Sequence, residues 1–289
     1  MGVLVVLLVI LAGLLLVNLL VPPPQASASP ARVRLVTLVG QVEVRPARSD
    51  HWQPARLGQQ LQADDEIRTG MFSEATLLVS DTSSVVVSPN SSFVVGSDFV
   101  RHSSFELARG QISAAIPATN KRRYKFHSRG SDAVASTSRG EFDMATDGRG
   151  TVVVDTRRGR VEVQARGRKV VLRKGRRSTV RPGKPPTVAM PIPSSVALQV
   201  KWPPAKLDRT RATVSGRTSA GALVMVNGLA VYAGPDGRLT VEVPLRQGKN
   251  RLVVNASDPS GHTARRESGT IQVDTRPPRV RVDAKDLWK

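Results

Sequence analysis

Three groups of residues in this chain could do chemistry. The first is the acidic triplet Asp64-Asp65-Glu66. General acid–base catalysis needs two carboxylates held in one cleft. Neighbouring residues on an extended chain point to opposite faces, so the triplet reads as a turn and strand entry. The second group is the four histidines, His51, His102, His127 and His262. They stand apart, without the H-x-x-x-H or H-E-x-x-H spacing that places two imidazoles on one metal. The third is Asp236, Asp258 and Asp274, which fall near the ends of expected strands. One carboxylate per loop is too few for calcium, and turn capping is the expected role. No G-x-S-x-G elbow is present, and Gly167 to Thr179 lacks the Gly-Lys-Ser/Thr ending of a phosphate loop. The chain has no cysteine, which excludes disulfides, thiol catalysis and Cys-ligated zinc. The sequence therefore predicts no catalytic residue, no cofactor and no metal.

Binding chemistry is better represented. The formal net charge is +20. Basic residues crowd between Arg157 and Lys184: Arg157, Arg158, Arg160, Arg166, Arg168, Lys169, Arg173, Lys174, Arg176, Arg177, Arg181 and Lys184, against Asp155 and Glu162. Guanidinium forks suit carboxylate and phosphate, so Arg157 to Arg181 form a candidate polyanion-binding surface. The bland alternative is a solvated β-face kept from aggregating by its charge. Replacing Arg173, Arg176 and Arg177 together is expected to leave the fold intact, with all three exposed. Nucleic acid is the least favoured polyanion. Aromatics make up 4% of the chain, and none interleaves with the basic run as single-strand binders require.

The elements that must carry these residues are strands. Short apolar runs recur between Gly, Asp, Asn and Ser, as in Leu77-Leu78-Val79, Val85-Val86-Val87, Phe93-Val94-Val95 and Val152-Val153-Val154. Such spacing predicts an all-β chain. Asp147-Gly148 sits at a hairpin position. No stretch after Val21 sustains a helical apolar period. Prolines from Pro182 to Pro204 read as an extended linker over 184–205 that separates two independently folding units. A second set of short strands follows over 206–275, with turns at Asn227-Gly228, Asp236-Gly237 and Gly248-Lys249-Asn250. It fits a small β-sandwich, with 276–289 left as a tail.

The N-terminus sets the compartment. Val3 to Val21 carries no charge and ends at Pro22-Pro23-Pro24. An apolar run of about 20 residues matches the bilayer core, so residues 3–21 are expected to anchor the chain in a membrane. Ala26-Ser27-Ala28 offers a cleavage site, which makes secretion after signal removal the alternative. Residues 22–31 form a small, proline-rich spacer. Arg32 and Arg34 follow the run and no basic residue precedes it; the charge rule that would set orientation is weak for long domains.

Residues 32–183 resemble the FecR family. The pieces are Gly40-Gln41-Val42-Glu43-Val44, Trp52, Leu57-Gly58, Leu61, Asp64 to Gly70, Ser73, Ala75, Leu77 and Asp81. They continue with Leu107 to Ile112, Arg139-Gly140-Glu141-Phe142, Thr151 to Val154 and Gly159 to Val163. Glu141 stands where the family usually carries Thr. The resemblance implies a twisted, solenoid- or sandwich-like all-β module on the outer side of the inner membrane. In members that span the membrane, this module receives a signal and a cytoplasmic helical domain restrains a sigma factor. Only two residues precede the apolar run here, so no sigma-factor binding is expected. Residues 206–275 look like a bacterial Ig-like domain, carried by Val214 to Thr218, Gly221-Ala222, Val226-Asn227-Gly228, Asp236-Gly237, Gly248-Lys249-Asn250, Ala256-Ser257-Asp258 and Val273-Asp274. Pro277-Pro278 resembles the start of a further repeat.

The expected protein is thus a single-pass inner-membrane protein with periplasmic β modules. It binds an anionic envelope polymer or a protein partner and catalyses nothing. Two alternatives have other signatures. A glycan-binding accessory subunit of an envelope enzyme would show a pocket with convergent carboxylates. A basic nucleic-acid binder would show steep, sequence-independent salt dependence.

Overall fold

The computed structural model describes residues 33–80, 82–99, 102–118 and 122–276. The expected anchor at 3–21, the spacer and the end of the tail lie outside the described residues. Among the described residues no helix is long and apolar enough to cross a membrane. Every regular element there is a strand, as the β-type spacing predicts.

Two long strands organise the first module. His102–Ile116 and Val152–Ala165 each serve two sheets. The first half of His102–Ile116 pairs in parallel with Arg123–Ser128 and antiparallel with Ser92–Phe99. Its second half pairs instead with Gly140–Thr146 and Ser83–Val87. Val152–Ala165 likewise pairs first with Gly140–Thr146 and Arg176–Val180, then with Val134–Thr137 and Arg168–Arg173. Each strand therefore bends from one layer into the other. The bend of the second strand falls at Gly159, whose φ of +75° favours glycine. A Cβ there would lie 2.8 Å from the Arg139 carbonyl oxygen and the Gly140 Cα. Gly110 sits at the corresponding bend of the first strand.

The two layers enclose one apolar core. Alternate residues point inward, so Ile112, Ala114 and Ile116 share the inner face of their sheet with their ladder neighbours Val85, Val87, Phe142 and Met144. Phe93, Phe105, Phe126 and Phe142 form a continuous aromatic row, with centroids 5.5, 5.3 and 5.1 Å apart. These distances suit offset and edge-on ring pairs.

Alternation breaks down from Phe142 to Thr146 and from Thr151 to Thr156, where successive residues are all buried. The second module covers the outer face there. That module builds a separate core from Val196, Leu198, Val214, Val224, Val226, Leu239, Val254 and Val273. Three small sheets surround it: Gln199–Lys201 with Arg211–Arg217 and Arg238–Pro244, Lys206–Leu207 with Ile271–Val273 and Gly248–Asn250, and a four-stranded sheet running from Leu229–Tyr232 to Thr263–Glu267. Leu223–Val226 and Leu229–Tyr232 meet at Asn227-Gly228, both at positive φ, the signature of a tight two-residue hairpin turn.

The proline-rich stretch is laid down on both modules. Thr187 donates its amide to the Thr179 carbonyl, and Ser178 Oγ donates to the Thr187 carbonyl. Met190–Pro191 pairs with Arg176 and Arg177 as an edge strand; proline suits an edge because it has no amide to donate. Val196 and Leu198 then enter the second core. Contacts cross between the modules as well. Gln111 Nε2 donates to the Pro259 carbonyl at 2.9 Å, Tyr232 Oη donates to the Pro89 carbonyl at 3.3 Å, and Gly221 approaches Val153. The modules are therefore packed on one another, which an extended linker does not lead one to expect.

Candidate polyanion-binding surface

The basic run lies on strands that leave one crease. Arg168–Arg173 belongs to one layer and Arg176–Val180 to the other, so Lys174-Gly175 carries the chain across beside Gly159. The amide of Gly175 donates to the Thr156 carbonyl and fixes that crossing. Arg160 lies directly opposite Arg173, and Thr156 opposite Arg176. Arg160, Arg173, Lys174 and Arg176 thus gather at one end of the ladder, all exposed. Arg166 and Arg168 gather at its other end, with the Arg166 amide donating to Asp132 Oδ2. Arg181 Nε reaches the Pro235 carbonyl at 3.4 Å.

Some of the expected residues are already engaged. Arg158 pairs with Glu141 at 2.8 Å, and Lys169 with Glu162 at 2.8 Å. Arg157 Nε lies 3.3 Å from Asp143 Oδ2. The first two pairs are solvent-exposed and worth less than about 1 kcal/mol, so a polyanion could displace them.

Arg177 does not belong to the surface. It was expected to be exposed, and its side chain is 8% exposed. It forms two bonds to Asp155, from Nε at 2.6 Å and from Nη2 at 2.5 Å, and Nη2 also meets Asp258 Oδ2 at 3.2 Å. The physical reason is the second module, whose loop at Asp258 to His262 sits on the outward face of Arg176–Val180. Burial alone would lower the guanidinium pKa; the bonds to Asp155 and the charge of Asp258 outweigh it and hold it above its ordinary value.

A polar row runs beneath this loop. Ser113, Asp143, Asp155 and Arg177 occupy neighbouring strands in register. Ser113 Oγ donates to Asp143 Oδ1 at 2.5 Å, and Ser260 Oγ donates to Asp155 Oδ2 at 2.6 Å. Burial pushes the Asp143 carboxyl up to about 6, against the pull of Ser113 and Arg157. His262 Nδ1 lies 3.2 Å from Asp258 Oδ2. Serine, histidine and aspartate thus share one loop, yet Ser260 bonds Asp155 and not the imidazole. The nucleophile–base link that acyl transfer requires is not made. Sequence reasoning missed this row; its one signal is the run Val152-Val153-Val154, too continuous for a half-solvated strand.

The other candidate groups take structural roles. Asp65 accepts the amides of Ala47 and Gln62, and Glu66 bonds Arg45 and Ser92. Asp236 and Asp274 pair with Arg238 and Arg276, and each carboxyl is held below its usual range, chiefly by the backbone amide of Arg238 and the side chain of Arg276 respectively. Among the described residues, no three His, Asp or Glu side chains converge as a metal site would need. His51 and His102 are exposed. Half-buried His127 has its pKa lowered by burial and then by Lys125, against the pull of Glu106.

Residues 65–162 match the family model described as FecR protein. This stretch resembles a FecR domain. It runs from the turn at Asp65 to the second layer of the long strand Val152–Ala165, and so contains both bends and the aromatic row. The rest of the basic run, beyond Glu162, lies outside the matched residues. Two crystal structures of a “putative anti-sigma factor” from Parabacteroides distasonis ATCC 8503, at 1.65 and 2.50 Å, are similar to part of the chain. Each is 14% identical with a TM-score of 0.38, over 44% of this chain and 59% of theirs. The chain therefore spans about three fifths of the length of those structures. No curated protein matches it.

Proposed function

We propose that this chain is a non-catalytic binding and signalling protein of the bacterial envelope. Residues 3–21 tether it to the inner membrane, and the FecR domain and an Ig-like second module stand in the periplasm. Its ligand is an anionic envelope polymer, held by Arg160, Arg173, Lys174 and Arg176 at the crease and by Arg166 and Arg168 at the far end of the ladder. The observation that carries this reading is the gathering of exposed basic side chains, with Arg160 directly opposite Arg173 and no ion pair to either among the described residues. Like charges facing each other across a ladder are destabilising. A bound polyanion relieves that repulsion. The acidic cluster of the sequence, Asp65 and Glu66, is engaged by turn amides, arginine and serine, which supports binding over catalysis.

The test is sedimentation of the full-length chain with purified peptidoglycan, and separately with anionic vesicles, over a salt series. Attraction between exposed charges is screened within about 8–10 Å near physiological ionic strength, so binding to peptidoglycan should fall as salt rises. Arg173→Ser, Lys174→Ser and Arg176→Ser together should weaken it several-fold, with thermal stability no lower than the parent's because the Arg160–Arg173 repulsion is relieved. Parent-like binding by this variant at low salt would leave the run a solvated face. A periplasm-active reporter fused after Lys289 tests the placement.

A further inference from the structure

An open cleft of about 480 Å³ lies where the two modules meet. It is built from the bend at Arg109, the hairpin turn Asp147 to Gly150 and Pro182 on one side. Val231, Tyr232, Pro235 and the strand residues Arg238 to Thr240 form the other side. The size falls within the range of small-ligand sites. None of its basic residues belongs to the run between Arg157 and Lys184.

The charges in the cleft are unequal. Arg238 is paired with Asp236 at 3.2 Å. Arg109 and Arg149 are exposed and make no ion pair among the described residues. Arg109 rests its guanidinium 5.9 Å from the Tyr232 ring centroid, which fixes it over the module junction. The carboxylate of Asp147 does not neutralise them, because its Oδ1 accepts the amides of Arg149 and Thr151 and caps the turn. Its Oδ2 makes no hydrogen bond among the described residues. Thr240 adds an exposed hydroxyl. Val231, Leu239, Pro182 and Pro235 supply an apolar wall.

We propose that this cleft binds an acidic sugar: Arg109 and Arg149 take the carboxylate, Asp147 and Thr240 take ring hydroxyls, and the apolar wall receives the C–H face. Two unpaired guanidiniums call for an oxyanion, since each presents a planar fork that fits carboxylate. A free phosphate would leave the wall and the volume unfilled. A neutral sugar would leave both guanidiniums without a counter-charge. Only a ligand with a negative group, hydroxyl donors and an apolar face uses all three kinds of wall.

Calorimetric titration of the full-length chain with digalacturonate tests this, with neutral galactobiose and inorganic phosphate as comparison ligands. Digalacturonate should bind at least tenfold more tightly than either. Arg109→Gln with Arg149→Gln should cost at least tenfold, with unfolding unchanged because both side chains are exposed. Thr240→Trp should abolish binding by filling the cleft from an exposed strand position. Lys249→Ser, at an exposed lysine of neither site, should bind digalacturonate as the parent does, which separates loss of the cleft from loss of charge in general. The proposal is overturned if digalacturonate does not bind. It also fails if galactobiose or phosphate binds equally well, or if neither cleft variant changes the affinity.

Discussion

Asp143 and Arg177 show how far a residue's role depends on what lands on it. Both point away from the core of the first module, where an alternating strand would leave them in water. Arg177 was indistinguishable in sequence from its basic neighbours, because its second partner, Asp258, lies 81 positions away. Asp143 has a measurable consequence. Its carboxyl is raised from 3.8 to about 6 by burial. The folded chain therefore holds a proton that the unfolded chain has lost across roughly pH 4 to 6, and this contribution to stability falls as pH rises through that window. At about 1.4 kcal/mol per pKa unit the gap corresponds to about 3 kcal/mol. Asp143→Asn keeps an acceptor for Ser113 and removes the titration. The difference in unfolding free energy between variant and parent should therefore rise, in the variant's favour, by about 2 kcal/mol from pH 4 to pH 7. Denaturant unfolding at a series of pH values reads it, and a flat difference would contradict the assignment.

Among the elements, the strands were legible and their layering was not. Short apolar runs located strands such as Glu74–Val79, Ser83–Val87, Ser92–Phe99 and Val152–Ala165, and Asn227-Gly228 and Asp147-Gly148 both lie in hairpin turns. What local pattern could not show is that His102–Ile116 and Val152–Ala165 each serve two layers: the inward parity switches at each bend, between Leu107 and Ile112 and between Val154 and Val161, and in sequence such a switch reads as one strand ending and another beginning. Nor could proline spacing reveal that Met190–Pro191 docks as an edge strand instead of bridging open space. Arg173 and Arg176 are exposed as expected, because nothing covers their strands there. Gly159 is the test of the layered arrangement. A Cβ there meets backbone atoms at 2.8 Å, in a region of φ that already costs a side chain about 1–2 kcal/mol. Gly159→Ala should therefore lose at least about 2 kcal/mol in urea unfolding, because the Arg139 carbonyl and the Gly140 backbone cannot rotate away as a side chain would. A loss under about 0.5 kcal/mol would mean the two layers are not creased there.

At the scale of the whole molecule, the question is whether two cores make two folding units. Each core is complete in itself, with Phe93 to Phe142 in one and Val214, Val224 and Val254 in the other. What joins them is polar and buried. Asp155 from the first module and Asp258 from the second share one guanidinium, and Ser260 returns a bond to Asp155. A buried ion pair adds little net stability compared with an apolar replacement, since desolvation offsets the attraction. Removing one partner is different, because the charges left behind stay out of water. Arg177→Met keeps most of the side-chain volume and strands two carboxylates between the modules. It should cost about 3–5 kcal/mol. Calorimetry of the parent should show a single transition, because Arg177 cannot lose Asp258 without exposing charge in both modules. In Arg177→Met that coupling is gone, and the second module should melt separately from the first. Two transitions in the parent would show that the modules fold apart despite the shared arginine. A single unshifted transition in the variant would show that apolar contacts such as Gly221 on Val153, and not the ion triad, hold the two cores together.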